Sequence, residues 1–233
     1  MCCFGANPGR GGHRLAAKAG ETVFETRQSI ADFFGGMVAR TVFCGNCTHA
    51  INLALKGTLR KGDHVIISSL EHNAVLRPLE RLRAQNGIEY DVLRIDPQNE
   101  DETLLRAKKL IRPETRMLFV THVSNVFGTV LPIRMLASLA KENGLLFGVD
   151  AAQSAGVFDL DLENDGIDLL CLQCPVGNKK HKAAAAAAVG LRIAADGGAD
   201  AVPVEQLFGA LCIGQGVKMK KRLHNASSFH RKM

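Results

Sequence analysis

From residue 41 to residue 172, short apolar runs alternate with segments of helical spacing. The runs are TVFC (41–44), HVIIS (64–68), YDVLRI (90–95), MLFVTHV (117–123), LLFGVD (145–150) and DLLCL (168–172). Between them, Ala50, Leu53, Ala54 and Leu59 fall on one helical face. So do Leu76, Leu79 and Leu82, then Leu104, Leu105 and Ala107, then Leu136, Leu139 and Ala140. Polar breaks RKGD, QNG and KENG separate the units, and Asn143-Gly144 is a helix stop. Strand–helix alternation predicts an α/β fold whose mainly parallel sheet is covered by helices on both faces. Right-handed crossovers then bring every strand-to-helix turn to one edge, where open α/β sheets bind ligands.

Ahead of this core, residues 1–40 are expected to hold an N-terminal segment and one long helix. In that helix Leu15, Ala16, Ala19, Val23, Ile30 and Phe33 recur near the helical period. Beyond residue 172 the alternation stops. Residues 173–233 carry 10 Lys and Arg against 3 Asp and Glu, whereas residues 1–172 carry 19 against 20. The net charge of +6 therefore sits in a basic, Ala-rich tail. That tail lacks interleaved aromatics and any nucleic-acid motif, so nucleic acid is not the expected partner. No run of about 18 apolar residues predicts a membrane span. The N-terminus lacks a signal-peptide core, and seven irregularly spaced cysteines favour reduced thiols in the cytoplasm.

Four clusters follow strands. CGNCTHAIN (44–52) is a glycine turn into a helix: Thr48 and free N–H groups would cradle a phosphate, or Asn46 or Thr48 simply caps the helix. SSLEHNAV (68–75) places His72 in a turn. THVSNVFGTVLP (121–132) has polar residues facing a ligand or ordering their own loop. GVDAAQSAG (148–156) ends an apolar strand on Asp150, a carboxylate that burial makes costly unless a metal, a side-chain cation or a protonated ring nitrogen meets it. The pairs Cys44/Cys47 and Cys171/Cys174 adjoin apolar strands and lie too far apart for a zinc ribbon, so they are read as small buried residues.

In order, NPGRGGHRL, GDHVIISSLEHNAVLRPLE, THVSNVFGTVLPI and GVDAAQSAGVFDLDL resemble the class V aminotransferase group, specifically its cysteine desulfurase-like members. The resemblance implies the large domain of a PLP-dependent fold with pyridoxal 5′-phosphate as cofactor. Asp150 would pair with the pyridine nitrogen, and Gln153 with the ring's phenolic oxygen. His72 would stack on the ring and move protons, Thr48 would hold the phosphate, and Asn125 would orient the substrate amino acid. It implies a homodimer and conversion of L-cysteine to L-alanine with sulfur left on the enzyme for an acceptor protein. Selenocysteine lyase or another class V reaction is the same-fold alternative.

Two departures qualify the resemblance. The chain starts after the family's first site segment and has no room for an ordinary C-terminal domain, which makes it read as truncated at both ends. The family's Schiff-base lysine, counted from Asp168, falls at Val176, whereas the lysines present are Lys179, Lys180 and Lys182. Only His181-Lys182 matches the motif, so Lys182 is the candidate. Residues from about 173 onward read as a frameshift or gene-end error, or as a divergent lineage in which Lys182 serves. An inactive fragment, a cofactor-binding remnant or a basic-tailed interaction protein are the corresponding non-catalytic readings.

Overall fold

The computed structural model describes residues 6–8, 12–173 and 187–191. Helix α1 (Arg14–Phe33) comes first, followed by β1 (Thr41–Cys44), α2 (Cys47–Thr58), β2 (His64–Ser68), α3 (Asn73–Asn86), β3 (Glu89–Leu93) and α4 (Glu100–Leu110). Then come β4 (Thr115–Thr121), α5 (Ile133–Glu142), β5 (Leu146–Asp150), β6 (Leu169–Gln173) and β7 (Ala187–Leu191). The seven strands form one sheet in the order β1-β7-β6-β5-β4-β2-β3. Strands β2 to β6 pair in parallel, and β7 runs antiparallel to both β6 and β1. Two successive antiparallel pairings restore the direction of β1, so the ends of β1, β2, β4, β5 and β6 reach the same edge.

Each central strand is apolar on both faces, as a sheet covered by helices requires. Val65, Ile67, Met117, Phe119, Leu169 and Cys171 pack with α2 and α3 on one side. Ile66, Leu118, Val120, Phe147, Val149, Leu170 and Leu172 pack on the other with Ile30 of α1, Ala107 of α4 and the α5 residues Leu136, Leu139 and Ala140. The period of two is complete in β2 and β4.

Two expected apolar faces are corrected in part. Leu15 and Phe33 of α1 are 50% and 39% exposed, while Ala16, Ile30, Ala31 and the capping residue Phe34 are buried. In α4, Leu105 is 47% exposed, and Thr103 and Ala107 fill the inward positions. Ala16, Ile30 and Ala107 face the core as expected, so the period is right in both helices and only the margins of the buried stripe differ. Strand β7 was not anticipated at all. It lies within residues 173–233, where the alternation had stopped, and its backbone bridges β6 to β1 with Cys171 opposite Val189 and Val42 opposite Val189.

Gly148 in β5 faces Phe119 across the β4–β5 pair. A Cβ at Gly148 would lie 2.4 Å from the Phe119 ring, so the ring occupies the space a side chain would need. Gly148→Ala should therefore destabilise the chain by about 1–3 kcal/mol. Adding Phe119→Leu should recover part of that loss, so the double variant is less destabilised than the sum of the two single variants. Urea denaturation of the four proteins checks this.

Candidate active site at the carboxyl edge

Asp150 ends β5, and its residue is 5% exposed. Its Oδ1 accepts the Ala152 N–H at 2.9 Å and the Cys47 thiol at 3.5 Å. Among the described residues nothing donates to Oδ2, and no Lys or Arg pairs with the carboxylate. Burial pushes the Asp150 carboxyl above its usual range, opposed by those hydrogen bonds and by nearby His72. The cation that the sequence reading required is thus not supplied by any described side chain.

The neighbouring turn between β2 and α3 carries His72 and Glu71. His72 is the N-cap of α3: its Nδ1 accepts the Ala74 N–H at 3.1 Å. In the neutral ring Nε2 therefore carries the proton. The ring is exposed on the site side and close enough to Asp150 to act on its charge. The cap thus fixes the ring's tautomer.

Glu71 was not anticipated. Its Oε1 accepts the Thr121 N–H from the end of β4 at 2.6 Å and the Ser68 hydroxyl from the end of β2, while Oε2 is buried without a partner. Burial is the main cause that pushes its carboxyl up to about 8; its two donors pull it down, and the Asp150 charge adds to the rise. Glu71 thus ties two strand ends together and is held protonated at neutral pH. It stands three residues past the end of β2, in the same turn as His72, and its position after an apolar strand is the sequence signal that could have found it.

Thr48 lies in the first turn of α2, exposed. The cap of this helix is Asn46, whose Oδ1 accepts the His49 N–H at 2.8 Å. The Thr48 hydroxyl makes no hydrogen bond among the described residues and stands at the positive end of the helix. Thr48 and His72 line one cleft of about 260 Å³ between α2 and α3.

Gln153 follows β5 in an exposed turn, and Asn125 sits in the exposed turn after β4. Neither side chain is engaged by a described residue. The Asn125 loop is ordered by Ser124, whose hydroxyl accepts the Val126 and Phe127 N–H groups. The structure thus brings Asp150, His72 and Thr48 to one stretch of the edge, with Gln153 and Asn125 on adjoining turns. Lys182, with Lys179 and Lys180, lies outside the described residues, as does Cys174. Cys44, Cys47 and Cys171 are buried free thiols. Burial raises all three, Cys44 to about 11, so they remain protonated small groups, and Cys47 serves as a donor to Asp150.

The class V aminotransferase family model matches residues 3–193. The chain belongs to the class V aminotransferase family. It is 35% identical over 171 residues to the cysteine desulfurase IscS of Tolumonas auensis, covering 71% of this chain and 42% of that protein. With a probable cysteine desulfurase of Methanothermobacter thermautotrophicus it shares 34% over 166 residues, covering 71% and 41%. Among solved structures, the apo cysteine desulfurase of Thermococcus onnurineus NA1 superposes with a TM-score of 0.69 at 30% identity, over 78% of this chain and 46% of that one. SspA in complex with cysteine superposes with a TM-score of 0.69 at 32% identity, over 80% and 53%. The chain therefore spans less than half the length of the curated relatives it matches. The family's cofactor is pyridoxal phosphate, and no described helix is long and apolar enough to cross a membrane.

The protonated state of Glu71 has a consequence for stability. Its folded pKa lies above the unfolded value, so its contribution is full below about pH 4.5 and is lost as pH rises towards 8. Over that window the wild type should lose up to about 4 kcal/mol from this group. Glu71→Gln should flatten the fall. Denaturation midpoints at pH 5 and pH 8.5 for the two proteins give the comparison.

Proposed function

We propose that this chain is the cofactor-binding part of a PLP-dependent cysteine desulfurase, taking L-cysteine to L-alanine and passing sulfur to an acceptor in the whole protein. The observation that carries the reading is Asp150: a buried carboxylate with one oxygen held and the other without a donor. A protonated pyridine nitrogen is a cation of the right shape to meet that oxygen. The group, when bound, supplies an electron sink for bonds to the substrate's α-carbon.

The chain's own residues then take these roles. Asp150 holds a positive charge at the ring nitrogen, and Cys47 and the Ala152 N–H keep its other oxygen turned away. His72, its Nδ1 committed to the cap, offers Nε2 to the ring face and to proton movement at the substrate. Thr48 donates its hydroxyl to the phosphate beside the α2 N-terminus. Gln153 meets the phenolic oxygen, and Asn125 the substrate's carboxylate. Lys182, which lies outside the described residues, would be the residue that holds the cofactor through its aldehyde carbon. The homodimer belongs to the same reading: α1 leaves Leu15, Phe24 and Phe33 exposed, with Met37 just beyond, and a second copy would cover such apolar surface.

The test is borohydride trapping. Protein incubated with pyridoxal phosphate, reduced and digested should carry stoichiometric label on Lys182. Asp150→Asn should weaken cofactor binding roughly 10- to 100-fold, the worth of about 1.5–3 kcal/mol for a hydrogen bond to a charged group. No label, or label scattered over surface lysines, would overturn the reading.

A further inference from the structure

The cleft between α2 and α3 extends beyond Thr48 and His72. Thr48, Asn52 and Lys56 recur every four residues along α2, and Arg77 and Arg81 do so along α3. No Asp or Glu lines it. Lys56, Arg77 and Arg81 form no ion pair with any described carboxylate. Helix α2 contains no acidic residue, and the one acid of α3, Glu80, is taken by the Tyr90 hydroxyl. Arg77 and Arg81 therefore repel each other one turn apart, and neither forms an ion pair with a described carboxylate. This happens in a body whose charges otherwise balance, 19 basic against 20 acidic residues up to position 172.

Three unpaired cations along a groove call for an anionic ligand, and the spacing says which kind. The stripe from Thr48 to Lys56 covers about 12 Å, the reach of three or four extended residues. Alternate side chains of an extended peptide stand about 6.6 Å apart, against about 6 Å for Arg77 and Arg81. Asn52 and Asn73 offer amides that both donate and accept, as a peptide backbone needs. No Phe, Tyr or Trp lines the groove to stack a run of nucleobases, and its one ring, His72, stands at the end beside Thr48. We infer that the α2–α3 groove binds an acidic peptide segment, with one carboxylate at Arg77 and the next alternate one between Arg81 and Lys56, which stand at similar distances from the starts of their helices. The inference stands on charge and shape and does not depend on the cofactor reading.

The experiment uses the whole chain and a fluorescein-labelled Glu-Ala-Glu-Ala-Glu peptide, followed by anisotropy. Binding should weaken at least tenfold between about 0.05 and 0.5 M salt. Arg77→Gln/Arg81→Gln should weaken it at least tenfold, while Lys108→Gln/Lys109→Gln, which removes the same charge from α4, should leave it unchanged. Pyridoxal phosphate labelling, run on the same variants, should survive Arg77→Gln/Arg81→Gln, so failure of one reading is separable from failure of the other. The proposal is overturned if the two double variants behave alike, or if pyrophosphate or single-stranded DNA binds where the peptide does not. It is also overturned if Arg77→Gln/Arg81→Gln turns a dimer into a monomer by light scattering, since the groove is then a subunit interface.

Discussion

A sheet buried on both faces leaves its polar chemistry only the strand ends, and this constraint organises the molecule. Val65, Ile66 and Ile67, or Met117 through Val120, have no exposed face on which to place a functional group. Asp150, Glu71 and Thr48 stand where the strands stop and the backbone turns. Because β1, β2, β4 and β5 all end at one edge, residues far apart in sequence meet there, as Cys47 and Asp150 do across 103 positions.

Within that edge the electrostatics are incomplete in a definite way. Two carboxyls, Asp150 and Glu71, are raised by burial, and the Asp150 charge adds to the rise at Glu71. Glu71 meets the problem by protonation and serves as a clamp between strand ends. Asp150 keeps a hydrogen-bonded oxygen and presents the other outward. The contrast follows from their donors: Glu71 takes two donors on one oxygen with the other sealed, whereas Asp150 takes the Cys47 thiol and the Ala152 N–H on Oδ1. A cationic ring seated against Asp150 would also lower the cost of burying both.

Strands β1 and β2 were legible residue for residue, because runs such as TVFC and HVIIS are apolar throughout and bounded by turns. The helical stripes were legible in period and partly in phase: Ala16, Ile30 and Ala107 face the core as placed, whereas Leu15, Phe33 and Leu105, placed inward with them, stand exposed. Periodicity fixes a stripe's repeat, while its direction depends on the neighbour it packs against. Strand β7 was illegible for a different reason. Its alanines carry no alternation, and pairing with β6 and β1, far from it in sequence, makes the strand. At the site, Asp150, His72 and Thr48 were found from position after strands and from resemblance. Glu71 was missed although it too follows an apolar strand, and the role of Cys47 was missed because it lies in a contact with Asp150, 103 positions away.

The claim that joins these observations is that the open oxygen of Asp150 awaits a protonated ring nitrogen. Its most direct test is ¹⁵N NMR of the chain loaded with pyridoxal phosphate labelled at the ring nitrogen. The account predicts a nitrogen that stays protonated at alkaline pH where the free cofactor has lost its proton, and that loses this protection in Asp150→Ala. A nitrogen that titrates as in free solution, or identically in both proteins, would contradict it.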